Sequence, residues 1–210
     1  MQLNPKVFFI GFNKCGTKTL HYFFLANGYR SMHHRFRPLI YDYIPRRFWP
    51  RHTMKNAARL IENNISAGRP ILRGLHWYRV YSDLTYSRKG RVIEACRHFR
   101  ALHSACPDAY FVLNLRPVEN WVRSRAAHDG GEFIRHYASL LSLSESAVKE
   151  EWRRMFAAHN DEVTAYFGES QRFMTFDIEN NPPARLQALL KDDFELDLKL
   201  WKHMGATSPV

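Results

Sequence analysis

Cysteine, long apolar runs and acidic residues are all scarce in this 210-residue sequence. Three cysteines, Cys15, Cys96 and Cys106, are too few for a dense disulfide framework and lack zinc-site spacing, so we expect reduced thiols. The apolar stretch at residues 7–12 is too short for a signal peptide or a membrane span, and no other run approaches spanning length. We therefore expect a soluble, cytoplasmic protein.

The scarcity of acidic residues is local. The chain has 31 Lys and Arg residues against 20 Asp and Glu residues, a formal net charge of +11. Residues 1–55 hold 10 Lys and Arg residues but one acid, Asp42, so nine of the eleven excess charges lie in the first quarter. This imbalance indicates phosphate-bearing or other anionic partners. Hydrophobic residues make up 45% of the chain, which excludes disorder as its main state.

Short apolar runs alternate with amphipathic segments along the chain. Strands are predicted at residues 7–12, 29–33, 70–74, 109–115 and 172–176. Helices are predicted at residues 17–27, 53–67 (capped by Thr53), 91–104 and 144–167, and after Pro117 and Pro183. The alternation predicts one α/β domain over residues 1–210, with a mainly parallel sheet of about five strands flanked by helices. In such sheets ligands bind at the carboxyl ends of the strands.

A loop rich in glycine, lysine and threonine follows the first predicted strand. It reads Gly11-Phe12-Asn13-Lys14-Cys15-Gly16-Thr17-Lys18-Thr19-Leu20. Glycine lets the backbone approach an anion, and the first amides of the next helix and its dipole attract that anion. The loop differs from the phosphate-binding motif of nucleoside triphosphatases by one inserted residue, Thr17. We interpret it as a phosphate-binding loop; a glycine turn with two solvated lysines is the alternative.

A metal-dependent nucleotide kinase or hydrolase would also need a carboxylate for magnesium, commonly at the end of a neighbouring strand. The predicted strands over 70–74 and 109–115 do not end in one, and only Asp177, after the last strand, remains. The sequence therefore favours a phosphate site without a metal. A kinase or hydrolase, and a non-catalytic nucleotide- or nucleic-acid-binding module, stay as alternatives.

The segment Lys14-Cys15-Gly16-Thr17-Lys18-Thr19-Leu20 resembles the 5′-phosphosulfate loop of the sulfotransferases that use 3′-phosphoadenosine 5′-phosphosulfate, PAPS. That family's second signature is an arginine at a strand end with a serine eight residues on, and Arg116 and Ser124 match it. Pro117, Trp121 and the closing Trp201-Lys202-His203 resemble an uncharacterised bacterial and eukaryotic subgroup of the family. The resemblance spans nearly the whole chain.

The resemblance implies a fold, an activity and a donor site. The fold is the sulfotransferase variant of the phosphate-binding-loop architecture. The activity is transfer of a sulfuryl group from PAPS to a hydroxyl or an amine without a metal, which leaves 3′,5′-adenosine bisphosphate. Lys14 takes the catalytic position on the leaving oxygen. The donor-binding residues are Lys14, Cys15, Gly16, Thr17, Lys18, Thr19, Arg116 and Ser124. Arg123 and Arg125, beside Ser124, are alternative phosphate contacts.

The general base is the least defined part of the predicted site. Histidine suits proton transfer at neutral pH, and the chain has eleven. His76 is our first choice as the second catalytic residue, because it follows the predicted strand 70–74 and the family's catalytic histidine follows a corresponding strand. His33, His34 and Asp83 remain open, and His128 is expected to shape a binding wall.

The segment 29–55 is rich in arginine and aromatic residues. It would serve as a solvated loop, as a nucleic-acid surface or as a lid over an acceptor. Given the sulfotransferase motifs, we favour a lid for an anionic or phenolic acceptor, either a small molecule or a glycan, and expect no nucleic-acid partner. The sequence leaves open the acceptor's identity and the oligomeric state.

Overall fold

The computed structural model describes residues 5–38, 43, 47, 54–88 and 90–204. Its strands are β1 (Val7–Phe9), β2 (Ser31–His33), β3 (Arg35–Phe36), β4 (Lys55–Asn56), β5 (Val80–Ser82), β6 (Thr85–Arg88), β7 (Arg91–Glu94), β8 (Tyr110–Leu115) and β9 (Phe173–Asp177). Within the described residues one sheet has the order β4-β3-β2-β5-β1-β8-β9, and β6 and β7 form a separate hairpin. Strands β2, β5, β1, β8 and β9 are parallel, which confirms the predicted α/β class and its five-stranded parallel core.

Helices cover both faces of the sheet. They are α1 (Thr17–Ala26), α2 (Ala57–Ser66), α3 (Phe99–Ala105), α4 (Val118–Ala126), α5 (Glu132–Leu141), α6 (Glu145–Phe167) and α7 (Ala184–Leu190). Successive side chains of a strand point to opposite faces, so the central strand β1 contributes to two cores. Phe8 joins the cluster that contains Trp121 and Trp152, whereas Phe9 joins the cluster that contains Phe24. This arrangement brings the loop after β1 to the middle of the carboxyl edge.

The strand predicted over residues 70–74 is wrong. This segment forms turns, in which Asn64 Nδ2 donates to the carbonyl oxygens of Ile71 and Arg73 and Gly74 has a positive φ of 83°. The third strand of the parallel core is β5, which pairs with both β1 and β2. Ile71 and Leu72 are buried although they lie in a turn, so the hydrophobicity of this segment does not indicate an extended chain.

The helix predicted over residues 91–104 begins too early. Residues 91–94 form β7, which pairs antiparallel with β6, and α3 starts only at Phe99 after a 3₁₀ turn over Ala95–His98. Val92 and Ile93 are β-branched, which suits a strand. The cap of α2 is Asn56, whose side chain accepts a hydrogen bond from the N–H of Arg59. The predicted cap, Thr53, lies outside the described residues.

Candidate active site

The loop between β1 and α1 is held from outside by side chains of β8 and α4. Asn114 Nδ2 donates to the Cys15 carbonyl oxygen at 2.9 Å, and its Oδ1 accepts from the Gly11 N–H at 2.9 Å. Trp121 Nε1 donates to the Asn13 carbonyl oxygen, also at 2.9 Å. All three contacts are buried, so they fix the loop strongly.

The backbone of this loop turns sharply just before α1. Lys14 has a φ of 68° and Gly16 a φ of 74°. A Cβ atom on Gly16 would lie 2.2 Å from Cγ1 of Ile178, so this position requires glycine for space as well as for conformation. Helix α1 then starts at Thr17 without a side-chain cap on its first amides. Those amides and the helix dipole are available to an anion.

The loop borders a cavity of about 530 Å³ at the carboxyl edge of the sheet. Most predicted donor-binding residues line it: Lys14, Gly16, Thr17, Lys18, Thr19, Arg116 and Ser124. Cys15 is the exception, because its side chain is fully buried in the core and burial raises the pKa of its thiol. The structure thus brings the loop and the pair Arg116 and Ser124 to one cavity. Cys15 can contribute only its backbone to a ligand there.

Arg116 and Ser124 approach the loop from the end of β8 and from α4. Arg116 Nη1 lies 3.5 Å from the Lys14 carbonyl oxygen, and Ser124 is buried at the cavity wall. Arg116 Nε donates to Glu179 Oε1, and Asn120 Nδ2 donates to the other oxygen of that carboxylate. Sequence reasoning did not find Glu179, which reaches Arg116 because β9 pairs with β8. An anion that binds Arg116 competes with this carboxylate.

Arg125 does not reach the cavity, so its assignment as an alternative phosphate contact is wrong. It is fully buried, and its Nη2 donates to Glu94 Oε1 and, at 2.9 Å, to the Tyr137 hydroxyl. Its guanidinium lies 4.8–5.5 Å from five ring centroids, those of Phe12, Trp121, Phe133, Tyr137 and Trp152. The Arg125 guanidinium therefore makes its contacts within the core, where it holds α4 in place. Arg123, on its other side, is exposed and donates to Asn120.

Asp83 and His33 meet at the carboxyl ends of the neighbouring strands β5 and β2. His33 Nε2 lies 3.4 Å from Asp83 Oδ2 and 3.2 Å from the Thr17 hydroxyl. Asp83 Oδ1 is buried and has no hydrogen-bond partner within the described residues. Burial lowers the pKa of His33, against the opposing charge of Asp83, so the ring is neutral at neutral pH. Both side chains line the cavity beside Lys14.

Lys14 is a desolvated cation that has no close ion-pair partner among the described residues. Burial lowers the pKa of its ammonium group, and the charge of Asp83 offsets part of that effect. Its ammonium group makes no hydrogen bond or ion pair in the described parts of the chain. His128 also lines the cavity, and burial together with the charge of Lys14 lowers its pKa. His128 therefore lies in the cavity wall, and its part in binding stays a prediction.

His76 lies away from this cavity. It precedes β5 instead of following a strand, it is exposed, and its carbonyl oxygen accepts a hydrogen bond from Lys6 Nζ at 2.6 Å. Lys6 precedes β1, which is parallel to β5, so His76 lies at the amino edge of the sheet. The predicted shared edge with the loop is wrong because it rested on the strand over 70–74. His34 contacts the Thr85 carbonyl oxygen and lines a second, neighbouring cavity.

The C-terminal segment supplies a wall that spacing alone did not predict. Trp201 packs against Phe23 of α1 with ring centroids 5.0 Å apart, and Met204 N–H donates to the Thr19 hydroxyl at 2.9 Å. His203 and Met204 line the cavity as a result. About half of the arginine-rich segment 29–55, namely residues 39–42, 44–46 and 48–53, lies outside the described residues, so the lid stays a prediction.

In the part of the chain that the structure describes, no three His, Cys, Asp or Glu side chains cluster as metal ligands, and no helix is both long and apolar enough to cross a membrane.

The comparisons with known proteins agree with this geometry. No curated protein matches the chain. The family model for the sulfotransferase domain matches residues 6–142, well over half of the sequence, and includes the loop, Asp83, Arg116 and Ser124. The chain therefore belongs to the sulfotransferase domain family.

Proposed function

We propose that this protein transfers a sulfuryl group from PAPS to a hydroxyl or an amine of an acceptor, without a metal ion. The observation that carries the proposal is the convergence of two separate anion-binding elements on one cavity. The loop with Lys14 and Lys18 forms one element, and Arg116 with Ser124 forms the other. A donor with anionic groups at both its 5′ and 3′ ends needs such a pair.

The cavity fits this donor in size and chemistry. Its volume of about 530 Å³ lies within the usual range for small-molecule sites. The uncapped start of α1 offers backbone amides to the 5′-phosphosulfate. Arg116 offers the planar donors that phosphate prefers, once Glu179 releases them. The 3′-phosphate is therefore assigned to Arg116 and Ser124.

Lys14 stabilises the charge that develops during transfer. In the reaction the bond between sulfur and the 5′-phosphate oxygen breaks, a bond from sulfur to the acceptor oxygen or nitrogen forms, and the acceptor loses a proton. Negative charge grows on the departing phosphate oxygen, and a cation placed there lowers the barrier. Lys14 suits this position because its partial burial strengthens its field and no described residue forms a close ion pair with it.

Asp83 is the group we assign as general base. Since the Asp83 carboxylate lies beside His33 Nε2, that nitrogen carries the ring proton and is not free to accept another. Asp83 lines the cavity beside Lys14, so its carboxylate is placed to take the acceptor's proton. His33 then positions the carboxylate. The position of Asp83, directly after the strand beside β1, also matches the family's placement of its base.

Asp83→Asn is expected to lower the transfer rate by about 100- to 1,000-fold, because the amide cannot accept the proton. Bisphosphate affinity is expected to change little, since Asp83 lies on the acceptor side of the cavity. Single-turnover release of bisphosphate measures the rate. Asp161→Asn, an exposed change on α6, is the matched control. If Asp83→Asn kept its transfer rate while His128→Gln lost it, the general base would be His128 and not Asp83.

Arg116→Ala is expected to weaken the binding of 3′,5′-adenosine bisphosphate by about 10- to 100-fold, the value of one or two charge-assisted hydrogen bonds. Calorimetric titration without magnesium measures the affinity, which for the unchanged protein should be micromolar or tighter. Arg154→Ala is the matched control, because this arginine of α6 is exposed and pairs with Glu151 away from the cavity. A preference for ATP with magnesium over the bisphosphate would contradict the proposed donor and favour a kinase.

A further inference from the structure

A second cavity, of about 560 Å³, lies between the β3–β4 edge, the start of α2 and β6. Four cationic side chains line it: Arg35, Lys55, Arg59 and Arg88. Among the described residues that line it there is no Asp or Glu. None of the four forms an ion pair with a carboxylate in the described ranges. The concentration of unpaired charge in one concave surface separates it from an ordinary mixed-charge surface.

The four cations repel one another across this cavity, and a bound anion would relieve that repulsion. Three of them contribute only exposed side chains from strands, whereas Arg59 also lies 5.2 Å from the Tyr86 ring centroid. A flat phenolic ligand would need a free aromatic ring to stack on. Arg59 already covers the Tyr86 face, and the other apolar lining residues, Met54 and Leu60, have no ring, so the lining favours charge and hydrogen bonding over aromatic stacking. Asn63 adds an amide group that suits the hydroxyls of a saccharide.

The second cavity adjoins the active-site cavity. His33 lines the first and His34 lines the second, and the Cα atoms of consecutive residues are about 3.8 Å apart. On the other strand, Asp83 lines the first cavity, and Tyr86, only three residues later, lines the second. The two cavities therefore meet along these segments, so a ligand in the second cavity lies beside the cavity that holds Asp83 and Lys14.

We propose that the second cavity binds the anionic part of the acceptor, so that the acceptor is an acidic oligosaccharide carrying carboxylate or sulfate groups beside the group that is sulfated. This inference rests on the proposed sulfuryl transfer and narrows its acceptor. Among the acceptors that the sequence leaves open, this inference favours an anionic acceptor over a phenolic one, and a glycan over a compact aromatic molecule.

The test is calorimetric binding of a disaccharide that carries one uronate and one sulfate, in the presence of saturating 3′,5′-adenosine bisphosphate. The neutral disaccharide cellobiose serves as the uncharged comparison. We expect the acidic disaccharide to bind and cellobiose not to bind. In Lys55→Gln/Arg88→Gln the affinity for the acidic disaccharide should fall by about tenfold or more, since two charge-assisted contacts are lost. Lys191→Gln/Lys199→Gln removes the same charge from an exposed surface elsewhere and should change nothing.

The outcomes separate this inference from the proposed function. No binding of the acidic disaccharide, equal binding of cellobiose, or equal weakening by both double variants would overturn the acceptor site. Displacement of the disaccharide by bisphosphate would also overturn it, because the disaccharide would then occupy the donor cavity. Bisphosphate affinity should be the same in both double variants. Failure of the unchanged protein to bind bisphosphate would instead count against the proposed donor, whatever the disaccharide does.

Discussion

Lys14→Ala is expected to lower the rate of sulfuryl transfer by about 100- to 1,000-fold, the usual effect of removing one group that stabilises transition-state charge. The loop amides and Arg116 should hold the bisphosphate nearly as well as before, because they do not depend on Lys14. Its charge has no close ion-pair partner in the described residues, so it is available to the leaving oxygen. Single-turnover release of bisphosphate from PAPS gives the rate, and calorimetry gives the affinity.

Lys18→Ala is the comparison for Lys14→Ala. Lys18 also lines the cavity, but it lies within the first turn of α1 and is placed to attract the 5′-phosphate. Its loss should weaken donor binding more than it slows the bound complex. If Lys14→Ala lost rate and affinity in equal measure, Lys14 would be a binding residue only, and the leaving oxygen would need another cation.

Glu94→Gln is expected to destabilise the fold by about 3–5 kcal/mol, because it leaves a buried guanidinium without its counter-charge. Arg125 is fully buried among aromatic rings, and Glu94 is its anionic partner, assisted by the Tyr137 hydroxyl. Glu94 also accepts a hydrogen bond from the Thr85 hydroxyl at 3.1 Å within the β6–β7 hairpin, and its bond with Arg125 ties this hairpin to α4. The free energy of unfolding in urea measures the loss.

Glu162→Gln provides the matched control for Glu94→Gln. Glu162 pairs with Arg100 at 3.2 Å, but both side chains are more than half exposed, so its loss should cost at most about 1 kcal/mol. Equal effects of the two substitutions would mean that the Arg125 site admits water. Because Arg125 follows Ser124 on α4, loosening this pair should also weaken bisphosphate binding in molecules that remain folded.

The parts of the fold that the sequence predicted well have strong local signals. Strands β1 and β8 are buried on both faces, and Gly11 and Arg116 follow them within two residues, so the donor loop and Arg116 could be predicted directly. The three residues of β5, Val80–Ser82, carry no such signal. They are extended because they pair with β1 on one side and β2 on the other, and that pairing is not visible in sequence. The misplaced third strand explains why His76 was preferred over Asp83.

The remaining gaps in the predicted site have similar causes. Glu179 meets Arg116 across 63 residues of sequence, and Met204 meets Thr19 across 185. Contacts of that range depend on tertiary packing rather than on local pattern. The interpretation of Arg125 as an alternative phosphate contact is wrong for another reason. A charged residue next to a binding serine normally faces solvent, but adjacent helix positions are about 100° apart and can face different surroundings. A rotation of one position places Ser124 at the cavity and Arg125 in the core.

The buried contacts of Asn114 and Trp121 with the donor loop have a consequence for the kinetics of binding. Since these side chains hold the loop through its own carbonyl and amide groups, the loop takes its shape when the protein folds and not when the donor arrives. The conformational entropy of the loop is therefore already lost in the free protein, which leaves donor contacts to contribute their full affinity. Association should proceed in one step at a rate set by diffusion and by the field of the cations, without a slow ordering phase.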